Sequence, residues 1–183
     1  MRNRFRRCRP GRVGQGGMLL TAFLVLSSCL FLHFLLSCSS IECPVENLVY
    51  TKYGVYNGTG QADTLSGDTL YVFSLRVDGS DTTLLNRGVN VTSFNLPISY
   101  SSPEDTLFFL RVSPDDVFLI DTVWIKKENI PHFESVDCSA SFFHKITAVR
   151  TTHNGIDSIV INHADVNYDT SSQHFHVYFK SRH

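Results

Sequence analysis

Residues 106–112 read TLFFLRV and residues 117–125 read VFLIDTVWI, and these two runs decide the fold. Both are rich in β-branched and aromatic residues and are apolar at consecutive positions, which is typical of central strands with two covered faces. The intervening residues 113–116, SPDD, have the composition of a turn. The pattern therefore predicts an antiparallel pair at the centre of a sheet, with the only tryptophan, Trp124, on its second strand.

Eight more runs of similar composition extend the strand pattern along the chain. They cover residues 48–53, 69–77, 82–85, 89–96, 132–138, 142–152, 156–162 and 174–180, with a connection over 126–131. Asp78-Gly79 and Asn154-Gly155 predict tight hairpins, because glycine adopts positive φ at little cost. About nine or ten short strands with frequent turns predict an all-β fold, an immunoglobulin-like antiparallel β-sandwich, with a small β-barrel as the alternative.

The N-terminal segment has a composition of its own. Six arginines fall within residues 2–12, and an apolar run from Met18 to Ser37 follows them. A basic segment, an apolar segment and small residues before a cleavage site are typical of a secretory signal. The run is also long enough to span a bilayer as a helix, so an uncleaved signal anchor is the alternative. In both cases the arginines stay inside and the rest of the chain is exported.

The end of the apolar run, residues 35–38 (LLSC), resembles the lipobox of bacterial lipoproteins. A lipobox cysteine, here Cys38, receives a thioether diacylglycerol and an N-acyl chain, which together meet the two-signal requirement for stable anchoring. Residues 26–29, LSSC, fit the same pattern, but cleavage there leaves a short apolar segment and an apolar mature end. The resemblance implies a lipoprotein signal peptide over residues 1–37, a lipidated tether over 38–47 and a β-sandwich domain over 48–183.

The exported part of the chain is acidic. Six of the 16 Lys and Arg residues precede Met18, whereas all 17 Asp and Glu residues follow Cys38, which leaves a formal charge of −7 beyond the signal. A domain with this charge repels phosphate backbones, so no nucleic-acid partner is predicted.

The cysteine count predicts one disulfide. Of the five cysteines, Cys8 and Cys29 leave with the signal and Cys38 takes the lipid. Cys43 and Cys138 remain as an even pair in an oxidising compartment, where disulfides form and persist. Two separately buried thiols are the alternative.

The mature chain resembles a family of small lipoproteins of unknown function from Bacteroidota. The matching pieces are the lipobox Cys38, Cys43-Pro44, residues 95–98 (NLPI), residues 121–123 (DTV), the late Cys138 and the aromatic C-terminal strand. The resemblance implies a secreted, lipid-anchored β-domain and supplies no activity. Acidic residues just after the lipidated cysteine resemble a surface-export signal in these bacteria. Glu42 is the only acid within residues 39–42, which favours the periplasmic face of the outer membrane.

A second resemblance concerns the recurring triplet Asp-Thr/Ser-aliphatic, which is similar to the O-glycosylation motif of exported proteins in that bacterial group. It implies modification at five hydroxyl groups, those of Thr64, Thr69, Thr82, Thr106 and Ser158. The alternative is that aspartate ends a turn and threonine begins a strand. Residues 63–65 and 68–70 are expected in an exposed loop, whereas residues 121–123 lie within an apolar run and are expected to stay unmodified.

Two histidines near the C-terminus are the best candidates for a metal site. His174 and His176 fall on one face of the last predicted strand, because side chains alternate with period two. Zinc or copper would need a third ligand from a neighbour such as His144 or His163, and no diagnostic spacing supplies one. We therefore predict no metal and two solvated imidazoles that titrate near the ordinary value of about 6.5.

Catalysis is the least favoured function. His132, Ser135 and Asp137 are close in sequence, but on a strand Ser135 would point away from the other two. The acidic pairs Glu104-Asp105 and Asp115-Asp116 can serve as acid pairs or calcium ligands, yet their neighbouring prolines favour turns. The sequence contains no Gly-x-Ser-x-Gly elbow.

These observations predict a lipid-anchored envelope protein of unknown function, a binding or assembly accessory without catalysis or a cofactor. Its partners are the membrane, through the lipid, and an unidentified envelope protein. The alternative is a sugar- or metal-binding module, in which Tyr50, Tyr53 and Tyr56 would supply stacking rings if exposed. A hydrolytic enzyme ranks third. An exposed aromatic patch with complementary polar groups would favour the ligand module, and a broad apolar edge would favour a protein partner.

Overall fold

The computed structural model describes residues 23–27, 43, 48–76 and 79–181. The chain divides into two compact units, Met1–Glu42 and Cys43–His183, and every strand below belongs to the second. In the first unit, residues 23–27 are helical. No helix among the residues described is long and apolar enough to cross a membrane. The predicted lipidation site, Cys38, and almost all of the predicted signal peptide and tether lie outside the described residues.

The described residues of the second unit form ten strands. They are β1 (Tyr50–Tyr56), β2 (Leu65–Leu75), β3 (Asp81–Val91), β4 (Ser93–Pro97), β5 (Glu104–Val112), β6 (Phe118–His132), β7 (Ser141–Thr151), β8 (Ile156–Ile161), β9 (Asp165–Val166) and β10 (Phe175–Phe179). One sheet has six strands in the order β3-β2-β5-β6-β7-β9, and the other has four in the order β4-β1-β10-β8. Neighbours are antiparallel except β1 and β10, which are parallel. The predicted all-β sandwich is confirmed.

The core lies where the inward side chains of the two sheets meet. Leu107 and Phe109 of β5 and Val123 and Ile125 of β6 are buried in it. The two strands lie side by side in the middle of the larger sheet, as the apolar runs predict. Their inward residues alternate with outward ones, so each strand also presents a second set of side chains on the far side of the sheet.

Tyr53 occupies the centre of this core. Its ring stacks on Phe94 and Phe175 at 5.0 and 4.9 Å between centroids, and meets Phe109 of the other sheet edge-on at 5.9 Å. Complete burial raises the pKa of its hydroxyl far above the ordinary range. Tyr53 is therefore a core residue, and it does not supply an exposed stacking ring for the alternative sugar-binding module.

The longest strand departs from the prediction in its second half. The sequence predicts a connection over 126–131 and a strand over 132–138, but β6 continues to His132 and a loop follows it. The alternation of β6 continues through this region, so Lys127 points inward like Val123 and Ile125, and the extra residue of the β-bulge beside Lys126 and Lys127 lies on β7. There, Lys127 Nζ lies 2.7 Å from Asp105 Oδ1 and donates to the Ser102 carbonyl at 3.0 Å.

The strongest hairpin signal in the sequence is not a hairpin. The strands on either side of Asn154-Gly155 belong to different sheets, β7 to the larger and β8 to the smaller. The residue with positive φ is His153, at 61°, and not the glycine. The turn is a corner between the sheets, and the buried carboxylate of Asp121 on β6 accepts the backbone N–H groups of Gly155 and Ile156 at 2.7 and 2.8 Å.

β2 begins earlier than predicted. It starts at Leu65, so Asp68 lies on a strand and not in the exposed loop expected for residues 68–70, whereas Thr69 and Leu70 lie on a strand, as the run over 69–77 predicts. Asp68 is buried there and faces Arg111 of β5, with 3.7 Å between Oδ2 and Nε. Thr69 pairs with Val112 and Val89 on the two neighbouring strands. Because Asp68 is charged although it points inward, the hydropathy pattern does not identify the start of β2.

Cys43 and Cys138 are joined, as the cysteine count predicts. Their sulfur atoms lie 2.08 Å apart and their Cα atoms 5.5 Å apart, across a sequence separation of 95 residues. The bridge connects a residue that precedes β1 to the loop between β6 and β7.

Candidate binding surface

The larger sheet has an outer face that carries large apolar side chains. On β2, β5 and β6 these residues alternate with the buried ones and so point away from the core. In the sheet register Tyr71 lies beside Leu110, and Leu110 lies beside Ile120. Six residues define the surface that we call the outer aromatic face: Tyr71, Phe73, Phe108, Leu110, Ile120 and Trp124.

The phenylalanines at the centre of this face pack on each other. Phe73 and Phe108 are register neighbours, their centroids lie 5.2 Å apart, and their planes differ by 17°. Aromatic pairs of this kind contribute about 0.5–1.5 kcal/mol beyond the area they bury. One flat side of each ring is therefore already covered by the other.

A charged pair lies at the β7 margin of the outer aromatic face. The guanidinium of Arg150 lies 4.0 Å from the ring centroid of Trp124, its register neighbour. Arg150 Nη2 also lies 3.1 Å from Glu104 Oε1. Both charged groups meet solvent, so this ion pair adds only about 0–1 kcal/mol of stability. The guanidinium nevertheless covers one side of the indole, a cation–π arrangement.

Three exposed apolar residues extend the outer aromatic face beyond its six defining members. Leu75 continues it on β2, Val89 on β3 and Phe118 on β6. At about 4.8 Å between strands and about 3.3 Å per residue, the whole surface measures roughly 15 by 20 Å. The largest patches on monomeric proteins, which are often functional, cover about 300–600 Å². An apolar centre with charges at the margin is also the anatomy of protein–protein interfaces.

The sequence contains a signal for this face, but the signal favours another interpretation. Apolar residues at consecutive positions over 106–112 and 117–125 predict cover on both sides of the central strands. The smaller sheet covers one side, and the side chains of the other remain half-buried or exposed. Composition does not distinguish a face that a chain covers from a face that the chain leaves open for a partner.

His174 is buried, which contradicts the predicted solvated imidazole. It precedes β10, and its Nδ1 accepts a hydrogen bond of 2.9 Å from the backbone N–H of Lys52. Its own backbone N–H donates to the Lys52 carbonyl at 2.8 Å. Burial lowers the pKa of the imidazole, and the neighbouring His163 lowers it further. The predicted strand begins at His174, but β10 begins at Phe175. The alternation of inward and outward side chains along β10 therefore does not extend to His174.

His176 lies on the outer face of the smaller sheet and is not freely solvated either. Its ring stacks on Tyr56 at 3.9 Å, and the Tyr56 hydroxyl donates to Gln173 Oε1 at 2.8 Å. Partial burial lowers its pKa. Across the described parts of the chain, no three His, Cys, Asp or Glu side chains are placed to hold a metal ion together. His174 and His176 therefore do not form the two-histidine platform that the sequence suggests.

The hydrolytic candidates are not brought together. His132 ends β6, whereas Ser135 and Asp137 lie in the loop after it. His132 Nε2 lies 2.9 Å from Glu134 Oε1, and its ring stacks on Phe143 at 4.0 Å. The Ser135 hydroxyl accepts the backbone N–H of Asp137 at 3.4 Å. Each group is engaged locally, and no hydrogen bond among the described residues joins His132 to the other two.

One of the two acidic pairs lies in a turn, as predicted, and the other does not. Asp115 and Asp116 fall between β5 and β6, where Asp116 has a φ of 57°. Glu104 and Asp105 are the first residues of β5, which contradicts the predicted turn. Asp105 is paired with the buried Lys127, so it contributes to the interior and not to a calcium site.

His144 lies buried on β7 in a network of polar groups. Asn129 Nδ2 donates to the Tyr100 carbonyl at 2.9 Å, so Asn129 Oδ1 is free to accept from His144 Nδ1 at 2.8 Å. Burial, and then the positive charge of Lys127, lower the pKa of His144 to about 4. The imidazole is therefore neutral at physiological pH, with its proton on Nδ1.

We expect His144 to make the protein less stable in acid. Its folded pKa of about 4 lies below the ordinary 6.5, so the unfolded chain binds more protons between these values and stability is lost as the pH falls through them. The contribution is about 1–2 kcal/mol of unfolding free energy between about pH 7.5 and pH 5. Urea titrations should show a smaller pH difference in His144→Gln, whatever that variant loses at the higher pH. The same pH dependence in both proteins would contradict this.

The five predicted glycosylation residues lie in different structural settings, and all are half-buried. Thr64 directly precedes β2, Thr69 is on β2, Thr82 on β3, Thr106 on β5 and Ser158 on β8. Thr106 lies beside Trp124 at the outer aromatic face. Asp121, in the triplet expected to stay unmodified, is 2% exposed. Modification of the five hydroxyls stays a prediction.

A model of a family of unknown function, DUF6452, matches residues 69–179, which is more than half of the chain. The matched residues run from β2 to β10 and include the whole outer aromatic face. No curated protein and no solved structure matches.

Proposed function

The chain belongs to the DUF6452 family of unknown function, and we propose that it is a lipid-anchored envelope protein that docks another protein through its outer aromatic face. The observation that carries the docking is the face itself, with large apolar side chains on three adjacent strands and charged groups at its margin. Contiguous apolar patches on a protein surface mark interaction sites.

The packing of the rings favours a protein over a sugar as the partner. A sugar ring stacks on the open flat side of an aromatic ring. Phe73 and Phe108 cover one side of each other, and Arg150 covers one side of Trp124. Leu110 and Ile120 add aliphatic surface on the side of Phe108 that is away from Trp124. A face of stacked rings, aliphatic groups and an arginine suits the apolar core of a protein–protein interface, where aromatic residues and arginine are enriched.

The proposed anchor is the lipid on Cys38, and the proposed location is the periplasmic face of an outer membrane. The N-terminal arginines, the apolar run and the lipobox-like LLSC support it. Small lipid-anchored domains with an open binding face are suited to holding a partner at a membrane surface. We propose no catalytic role, because the candidate hydrolytic groups are engaged in separate local contacts.

Site-specific photocrosslinking in the native envelope tests the docking. We expect benzoylphenylalanine at Phe108 and at Trp124 to give adducts with the same protein, because both positions open onto one face. The matched control is Asn95, an exposed residue on β4 of the smaller sheet, which should give none of this adduct. Ile120→Asp, at an exposed position, should abolish the adduct, because an interface core excludes unpaired charge.

Two results would overturn the proposal. One is the same adduct from Asn95 as from the outer aromatic face, and the other is an adduct that survives Ile120→Asp in a folded protein. The anchor is checked in the same cells with Cys38→Ala, which should lose acyl labelling and leave the membrane fraction. An unmodified Cys38 behind an intact signal segment would end the lipid anchor and leave the docking result to stand alone.

A further inference from the structure

The end of the larger sheet beside the β6–β7 loop carries a second group of exposed apolar side chains. Val136 is 99% exposed and Phe133 is 66% exposed in that loop. Tyr100 and Tyr168 are exposed beside it and pack on the first residues of β7, with 5.2 Å between the rings of Tyr100 and Phe142. Five residues define what we call the apolar tip: Tyr100, Ile130, Phe133, Val136 and Tyr168.

The disulfide attaches the start of the domain to this tip. Cys138 follows Val136 by two residues and is bonded to Cys43. Cys38 precedes Cys43 by five residues. Five residues span at most about 17 Å in any conformation. Acyl chains on Cys38 would therefore enter a membrane within that distance of the bridge, and the apolar tip would lie at the bilayer surface.

We propose that the apolar tip inserts into the headgroup region of a bilayer beside the lipid anchor and so orients the domain. This rests on the lipidation of Cys38 in the proposed function. Tyrosine is enriched at membrane interfaces, where its hydroxyl stays among headgroups and its ring is removed from water. Phe133 and Val136 are apolar and extend into solvent from a loop, so insertion buries surface that the fold leaves exposed.

The charge of the tip selects the kind of lipid. Residues 133–140 contain Glu134 and Asp137 but no lysine or arginine. Both acids are exposed. An anionic leaflet attracts basic segments and repels carboxylates. The occupant is therefore a surface of zwitterionic phospholipid.

Insertion of the tip would also present the outer aromatic face to neighbouring proteins. Trp124 precedes Ile130 by six residues on β6, which corresponds to about 20 Å along the strand. Ile120 is about 30 Å from Ile130 by the same measure. The face would thus stand away from the lipid, on the side of the domain, where a protein partner can reach it.

Fluorescence quenching in vesicles tests the insertion. The lipidated full-length mature protein is reconstituted into phosphatidylcholine vesicles with plain or brominated acyl chains, since bromine quenches a nearby indole. Trp124 is the only tryptophan, so the unaltered protein reports the outer aromatic face. The double variant Trp124→Phe, Phe133→Trp reports the tip. We expect brominated lipid to reduce the emission of the double variant roughly twofold, because its indole sits at the headgroup–acyl boundary, and to leave Trp124 unquenched.

Flotation with the vesicles and the mass of the acylated chain report the anchor separately. A double variant that floats but keeps its full emission overturns the insertion and leaves the anchor intact. Absence of acyl mass and of flotation overturns both proposals. Quenching of Trp124 and not of the tryptophan at position 133 overturns the orientation. Stronger quenching at position 133 in phosphatidylglycerol vesicles than in phosphatidylcholine vesicles overturns the lipid class. Val136→Trp with Trp124→Phe repeats the measurement at a fully exposed position if Phe133→Trp does not fold.

Discussion

Asp121→Ala is expected to lower the free energy of unfolding by about 3–5 kcal/mol, because it removes a buried carboxylate from several donors at once. Asp121 is 2% exposed and accepts the backbone N–H groups of Asn154, Gly155 and Ile156, together with the Thr152 hydroxyl. Without it, backbone donors at the corner between β7 and β8 stay buried and unpaired. Each such donor costs about 1–3 kcal/mol, and relaxation of the corner recovers part of the sum.

Urea unfolding followed by Trp124 fluorescence measures the loss. Asp157→Ala is the matched control, since Asp157 belongs to the same kind of Asp-Thr/Ser-aliphatic triplet but is exposed on β8. That control should change stability by no more than about 0.5 kcal/mol. Asp121→Asn should also be strongly destabilised, because its amide N–H₂ faces donors where an acceptor is needed. If Asp121→Ala and Asp157→Ala unfold at the same urea concentration, the carboxylate does not hold the corner.

The effect is large because this carboxylate joins the two sheets. Asp121 lies on β6 of the larger sheet, and the donors it accepts lead into β8 of the smaller one. The approach is close: a Cβ added to Gly155 would lie 3.1 Å from Leu119 Cβ and 3.3 Å from Asp121 Oδ2. Gly155 is required because a side chain would not fit, and not because of its φ. Asn154-Gly155 therefore has the sequence of a tight hairpin turn without forming one.

The sequence predicts the strands well where local composition decides them. The apolar runs identify β5 and the first half of β6, and the alternation of Phe175, Val177 and Phe179 identifies β10. It fails where a distant side chain decides. The corner at Asn154-Gly155 depends on a carboxylate 33 residues earlier, at Asp121. A local pattern contains no information on such a partner.

The same reason explains the errors around the candidate sites. His174 is held in the interior by Lys52, 122 residues away: its imidazole Nδ1 accepts the backbone N–H of Lys52, and its backbone N–H donates to the Lys52 carbonyl. The second half of β6 carries Lys127 inward because Asp105 on the next strand neutralises it. A lysine in a sequence indicates solvent, so the strand looks like a connection. The outer aromatic face was missed for the opposite reason. Apolar residues in a sequence indicate burial, even where no other part of the chain buries them.

Loss of the disulfide is expected to have an effect of similar size. We expect Cys43→Ser with Cys138→Ser to lower the free energy of unfolding by about 4–5 kcal/mol, the value of the chain-entropy model for a closed loop of this length. The sequence separation is 95 residues. The cross-link restricts the unfolded chain far more than the folded one, in which the two cysteines are already neighbours. Reduction of the unaltered protein should produce the same loss as the double substitution.

The topology explains why a bridge at the margin of the domain stabilises all of it. The loop that it closes contains β1 to β6, while β7 to β10 lie outside it. Yet β10 pairs with β1, and β7 pairs with β6, so the strands outside the loop close the sandwich on the strands inside it. The strands inside the loop and those outside it therefore unfold together. Because the bridge lowers the entropy of the unfolded chain, it stabilises this whole cooperative unit and not only the loop.

Equilibrium urea unfolding distinguishes this account from a merely local one. The double variant should unfold at lower urea in a single transition, with a somewhat larger m-value, because its unfolded chain is more expanded. Ser139→Ala, an exposed neighbour of Cys138, is the matched control and should change stability by no more than about 0.5 kcal/mol. If the double variant instead keeps the midpoint of the unaltered protein, the bridge holds only the loop after β6. The bridge would then serve only to fix the apolar tip near the anchor and would not stabilise the domain.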